Sequence, residues 1–225
     1  MSSRTPRPEL RALSIPWSGV GAHAPAGPAI RRIRALGTVL SRLGDCPLDT
    51  FIDALVLLRG AGRVRPEDLR LGLRALGLVR LRQLAELDAE RALGGRSTLP
   101  LPARLGLLSD DDEPAQDAAL PRRRLPGAAL QAAQQAAAGL IAAFASTEAL
   151  PISSWLAALA AQAQQRLGWG DPDAAWRALG SASSSLLERV PGTVPLLRSE
   201  LHLLLMPVLE GAALGPIGGE GGGVQ

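Results

Sequence analysis

Five landmark residues of this chain return 104 positions later. Leu36, Leu40, Pro47, Phe51 and Leu55 are matched by Leu140, Phe144, Pro151, Trp155 and Leu159, while Pro66 is matched by Pro172 at a spacing of 106. Each set runs through two apolar residues one helical turn apart, a proline, an aromatic and a leucine. That order spells a helix end, a turn and the next helix start. Matched prolines and aromatics are harder to obtain by chance than matched leucines, and the two extra residues fall in a loop, where insertions are tolerated. The pattern predicts two copies of one helical module.

Strand signals are nearly absent, and Leu and Ala recur at spacings of three and four, so the expected class is all-α. Predicted helices cover Ala29–Leu43, Leu48–Leu58, Pro66–Leu78, Leu81–Leu93, Ala128–Ser146, Ile152–Arg166, Pro172–Val190 and Pro195–Leu209. Pro66 followed by Glu67 and Asp68 is a helix-start signal, and Asp171-Pro172-Asp173 repeats it with Asp171 as the expected N-cap. The expected organisation is an irregular segment 1–28, a first module 29–93 and a linker 94–127 containing a short helix at 102–108. A second module 128–190, a C-terminal helix within 191–214 and a disordered Gly-rich tail 215–225 follow.

Composition narrows the function classes. All 24 basic residues are Arg, and Lys, Asn and Tyr are missing, which marks nucleotide bias in a GC-rich genome. Net charge is only +3, so the pI of 10.6 reflects the lack of Lys and Tyr, not a basic surface. No dense basic stripe argues for nucleic acid as a partner. The first residues carry prolines and charges where a signal peptide needs an apolar run, and the Ala-rich stretch 128–145 is interrupted by Gln131, Gln134 and Gln135. One cysteine, Cys46, rules out an intramolecular disulfide. A cytoplasmic protein away from membranes is expected.

Enzyme signals are weak. His23 and His202 have no acidic or Cys partner nearby in sequence, Cys46 is an ordinary thiol in a turn, and Asp110–Glu113 lacks the alternating ligand spacing of a calcium loop. No catalytic residue, cofactor or metal ligand is assigned. Leu40-Ser41-Arg42-Leu43-Gly44-Asp45 has the pattern of a BH3 core, but Pro47 would break the continuous helix such a segment needs. Phe51 and Trp155 are expected in the core. Trp169, in the turn GWGD, is expected to be exposed and is a candidate contact residue.

The segment PLDTFIDALVLLRGAGRVRPEDLRLGLRALGLVRLRQLAELDAE, Pro47 to Glu90, resembles helices 4 to 6 of a death effector domain. The stretch PISSWLAALAAQAQQRLGWGDPDAAWRALGSASSSLLERV resembles the same part of a second one. AAAGLIAAF looks like its helix 2, and ARLGLLSDDDE, with the short helix at 102–108, like its helix 1. Two such domains in tandem is the layout of viral FLICE-like inhibitory proteins, and the likeness covers about 150 of the 225 residues. The family's RxDL motif is replaced by Leu78-Val79-Arg80-Leu81 and Ser183-Ser184-Ser185-Leu186.

The resemblance implies two six-helix bundles in tandem plus a C-terminal helix. It implies a non-catalytic decoy in the host cytoplasm that binds the death-domain adaptor protein or the initiator procaspase and blocks receptor-induced apoptosis. Family members also alter NF-κB signalling, which implies an IκB kinase regulatory subunit as a further partner. Leu36 and Leu40 on helix 2 and Arg70 and Arg74 on helix 5 are then the contact candidates, with Trp169 in the second module. The alternative is a helical structural or tegument-like scaffold of a GC-rich virus or bacterium, with no apoptotic role.

Overall fold

Pro66 begins a helix as its sequence signal requires, with Glu67 and Asp68 in the first turn. It is one of nine α-helices among the described residues of a computed structural model, which are 26–58, 61, 64–102 and 123–214. In chain order these are α1 (Ala26–Arg42), α2 (Leu48–Ala54), α3 (Pro66–Ala75), α4 (Leu81–Ala85), α5 (Ala89–Leu93), α6 (Gly127–Phe144), α7 (Ile152–Gln165), α8 (Ala174–Arg189) and α9 (Arg198–Leu214). Two short antiparallel pairs join them: β1 (Thr98–Pro100) with β2 (Arg124–Pro126), and β3 (Leu150–Pro151) with β4 (Pro195–Leu196). The protein is mainly helical, as expected. The expected helix at 102–108 lies outside the described residues from 103 onward, as do residues 1–25 and the tail 215–225.

Several helix ends differ from expectation for identifiable reasons. The helix predicted over 48–58 stops at Ala54, because Leu55 turns to extended backbone and the Val56 N–H donates to Leu167 O at 2.8 Å. The helix predicted over 81–93 splits into α4 and α5, the second capped by Asp88, which accepts from Arg91 N at 3.0 Å. Asp171 is not the N-cap of α8. A turn closed by Asp173 N–H on Gly170 O, at 2.7 Å, takes up Pro172, and Asp173 caps the helix by accepting from Ala175 N. Pro195 and Leu196 join β4, so α9 starts at Arg198. The predicted linker 94–127 contains β1 and β2.

The repeat extends further than the six landmarks. Leu36, Leu140, Leu40, Phe144, Phe51 and Trp155 are all buried. In both halves the chain comes back after the third helix to pair beside the landmark proline: Leu48 N–H donates to Val79 O, and Ile152 N–H donates to Val194 O. The next helix starts the same way in each half. The third residue of α4, Gln83, accepts from the Arg80 N–H, and the third residue of α9, Glu200, accepts from the Leu197 N–H. Helix α9 is thus the counterpart of α4, although its sequence shows no likeness to it.

Both last helices reach the opposite half. Helix α4 packs on α6, the first helix of the other half, while α9 lies between α1 of the first half and α8 of its own and packs on both. Its approach to α1 is close: a Cβ on Gly37 would stand 2.6 Å from Met206 Cε. Arg32 of α1 holds both carboxylate oxygens of Asp173, at 2.9 and 3.0 Å, across the halves. Buried side chains of both halves form one continuous cluster. Residues 127–190 supply α6, α7 and α8 to it.

Candidate protein-binding surface

The apolar stripe of α1 decides the fate of two contact candidates. Ala29, Ile33, Leu36 and Leu40 recur at helical spacing and all face the core, Leu36 at 0% and Leu40 at 1% exposure. Neither leucine can touch a partner in this fold. An inward stripe and an outward binding stripe look the same in sequence, and here α2, α8 and α9 cover it.

Trp169 is also corrected. It is 1% exposed, and its indole N–H donates to Ala54 O at 2.7 Å, so it is an anchor of the core and not a surface contact. Gly168, at φ +73°, makes the turn that drives the ring into the first half. Trp155 is in the core as expected. Its ring stacks on Phe144 with centroids 6.0 Å apart, and its N–H donates to Leu196 O at 2.8 Å.

Arg70 and Arg74 lie at the surface on α3, one turn apart, facing Asp49 and Asp53 one turn apart on α2. Arg70 pairs with Asp53 at 2.5 Å and reaches Asp49 at 3.6 Å, while Arg74 pairs with Asp49 at 2.5 Å. The two aspartates were not among the expected site residues. Their signal was present, since two acids four apart and two arginines four apart sit on consecutive helices. Beside the array a shallow dimple of about 70 Å³ is lined by Pro47, Leu48, Leu78 and Val79, and Val79 is 59% exposed. Exposed ion pairs of this kind stabilise a fold by only about 0–1 kcal/mol, so a partner's charges can compete for them.

Cys46 ends the turn after α1. The thiol is buried, and burial pushes its pKa from 9.0 to about 11 against the opposing pull of Arg42 and Arg80. It stays protonated at neutral pH and is a poor nucleophile. Among the described residues no group of three His, Cys, Asp or Glu is placed to hold a metal ion. His202 lies half-buried on α9, while His23 and Asp110–Glu113 fall outside the described residues. No described helix is long and apolar enough to cross a membrane. No family model, curated protein or solved structure matches the chain.

Proposed function

We propose that the chain acts by binding another protein, without turnover, through the α2–α3 face. The observation that carries this is the Asp49–Asp53–Arg70–Arg74 array, which sets alternating charges beside the exposed Val79. Apolar centres supply most interface energy, and rim charges set rate and specificity. In its specific form, the partner is a death-domain adaptor or an initiator procaspase, and the chain is a decoy inhibitor of receptor-induced apoptosis. The likeness of Pro47–Glu90 to a death effector domain supports that form, because the array lies within this segment. An IκB kinase regulatory subunit is the further partner the same likeness suggests.

The test is capture of purified adaptor and procaspase death effector domains by the full chain. Arg74→Glu sets a second acid beside Asp49 and is expected to weaken capture at least tenfold at low salt, with a smaller effect at high salt. Circular dichroism checks that the variant stays folded. A folded wild-type chain that captures neither partner would end the decoy reading. A second reading, a helical scaffold without an apoptotic role, is favoured by the core shared between halves.

A further inference from the structure

The turn that follows α1 gathers arginines from two parts of the chain. Arg42 is the last residue of α1, and Leu43–Asp45 turn the backbone toward Cys46. The Arg80 guanidinium donates to Asp45 O at 2.7 Å. The Arg82 side chain lies across Gly44, so close that a Cβ there would stand 2.9 Å from its Nε and 3.2 Å from its Nη2. The charges of Arg42 and Arg80 both act on the Cys46 thiol at the end of the turn. Segments 42–48 and 78–83 are tied together by Leu48 N–H to Val79 O and Leu81 N–H to Cys46 O. Together they hold three arginines and one acid, Asp45.

All three arginines are exposed, and none of them pairs with a carboxylate among the described residues. Arg70 and Arg74 differ, because Asp49 and Asp53 take up their charges. Three like charges held around one turn repel each other, and an anion placed over them relieves that repulsion. Guanidinium–carboxylate hydrogen bonds are also about twice as strong as neutral ones. The cluster borders the candidate binding face. Arg80 directly follows the exposed Val79, and the same two segments supply Pro47, Leu48, Leu78 and Val79 to the dimple beside the charged array.

We propose that the Arg42–Arg80–Arg82 cluster receives an acidic peptide segment of the protein that the α2–α3 face binds. The inference rests on the reading of that face as protein-binding and adds the partner's charge: carboxylates beside an apolar contact. A peptide fits better than a nucleic acid. A nucleic-acid strand needs a basic groove that tracks its backbone and aromatic rings on which its bases stack. Here the unpaired arginines are confined to one turn with Asp45 among them, and Phe51, the only aromatic residue of the first module, is wholly buried. Charge complementarity of this kind sets encounter rate and partner choice, while the apolar contact beside it holds the complex.

Fluorescence anisotropy of the full chain with a labelled twelve-residue peptide of glutamate and valine tests this. The wild type is expected to bind it at least tenfold more tightly than the peptide with glutamine for glutamate, and less tightly as salt rises. Arg42→Gln combined with Arg82→Gln is expected to weaken binding at least tenfold. Both side chains are exposed, and Arg80 is left in place because its bond to Asp45 O holds the turn. Arg177→Gln with Arg189→Gln removes the same charge from the exposed face of α8 and is expected to leave binding within twofold. Equal binding of the two peptides would overturn the proposal. So would equal loss in the α8 variant, which would reduce the effect to net charge, or tighter binding of an oligothymidylate of the same length. Because the probe is neither the adaptor nor the procaspase, this result is separate from whether either of those is captured.

Discussion

Trp169→Ala is expected to lower the unfolding free energy by roughly 3–5 kcal/mol, the loss typical of removing a large buried aromatic. The ring is 1% exposed, and it links the α7–α8 loop of one half to the end of α2 in the other through its bond to Ala54 O. The alanine variant leaves a cavity between the halves and a buried carbonyl without its donor. Trp169→Phe separates the two effects. It keeps most of the packing and removes the bond, and its expected cost is about 1–3 kcal/mol. Urea unfolding followed by far-ultraviolet circular dichroism measures both. A loss below about 1 kcal/mol for the alanine variant would place the ring at the surface, where its GWGD context first suggested.

Gly168→Ala has the second large expected effect, from one methyl group. Gly168 sits at φ +73°, a conformation that costs a residue with a Cβ about 1–2 kcal/mol. The added Cβ would also come within 2.5 Å of Leu57 O and 2.8 Å of Leu57 N, which are backbone atoms that no rotamer change can move. Relief requires the 55–57 segment to retreat, and that breaks the bond from Val56 N to Leu167 O, for about 1 kcal/mol more. The sum is about 2–3 kcal/mol. Gly211→Ala is the control. It lies in α9 with nothing near its added methyl, so it is expected to be neutral or to stabilise by up to about 1 kcal/mol.

These two residues also show where the sequence was hard to interpret. A tryptophan between glycines in a turn has every local mark of an exposed loop. Its burial depends on the end of α2, 115 residues earlier in the chain, against which the loop is pressed. Leu36 and Leu40 failed as contact candidates for a related reason. An apolar helical stripe specifies that something covers it, not whether the cover is the chain itself or a partner. By contrast, elements governed by neighbouring residues were legible. Pro66 with its two acids started α3, and Phe51 and Trp155 were placed in the core from the repeat alone.

The repeat was only partly legible because its last helix is matched by geometry and not by composition. Helices α4 and α9 share a backbone return beside the landmark proline and a side chain three residues in that reaches back to the residue before the helix. One is five residues long and the other 17. The packing of α4 on α6 and of α9 on α1 has no local signal at all. The Arg70 and Arg74 surface was legible as a charge pattern, and its aspartate partners follow from the same four-residue spacing one helix earlier.

The two helical modules close over one core, with α9 packed between α1 and α8. Differential scanning calorimetry of the full chain tests it most directly. A shared core predicts a single transition in which the calorimetric and van't Hoff enthalpies agree, because neither half keeps its buried surface once the other opens. Arg32→Ala, which removes the ion pair to Asp173 across the halves, should lower that one transition without dividing it. Two separable transitions, or a calorimetric enthalpy well above the van't Hoff value, would show two independently folding bundles and contradict the account.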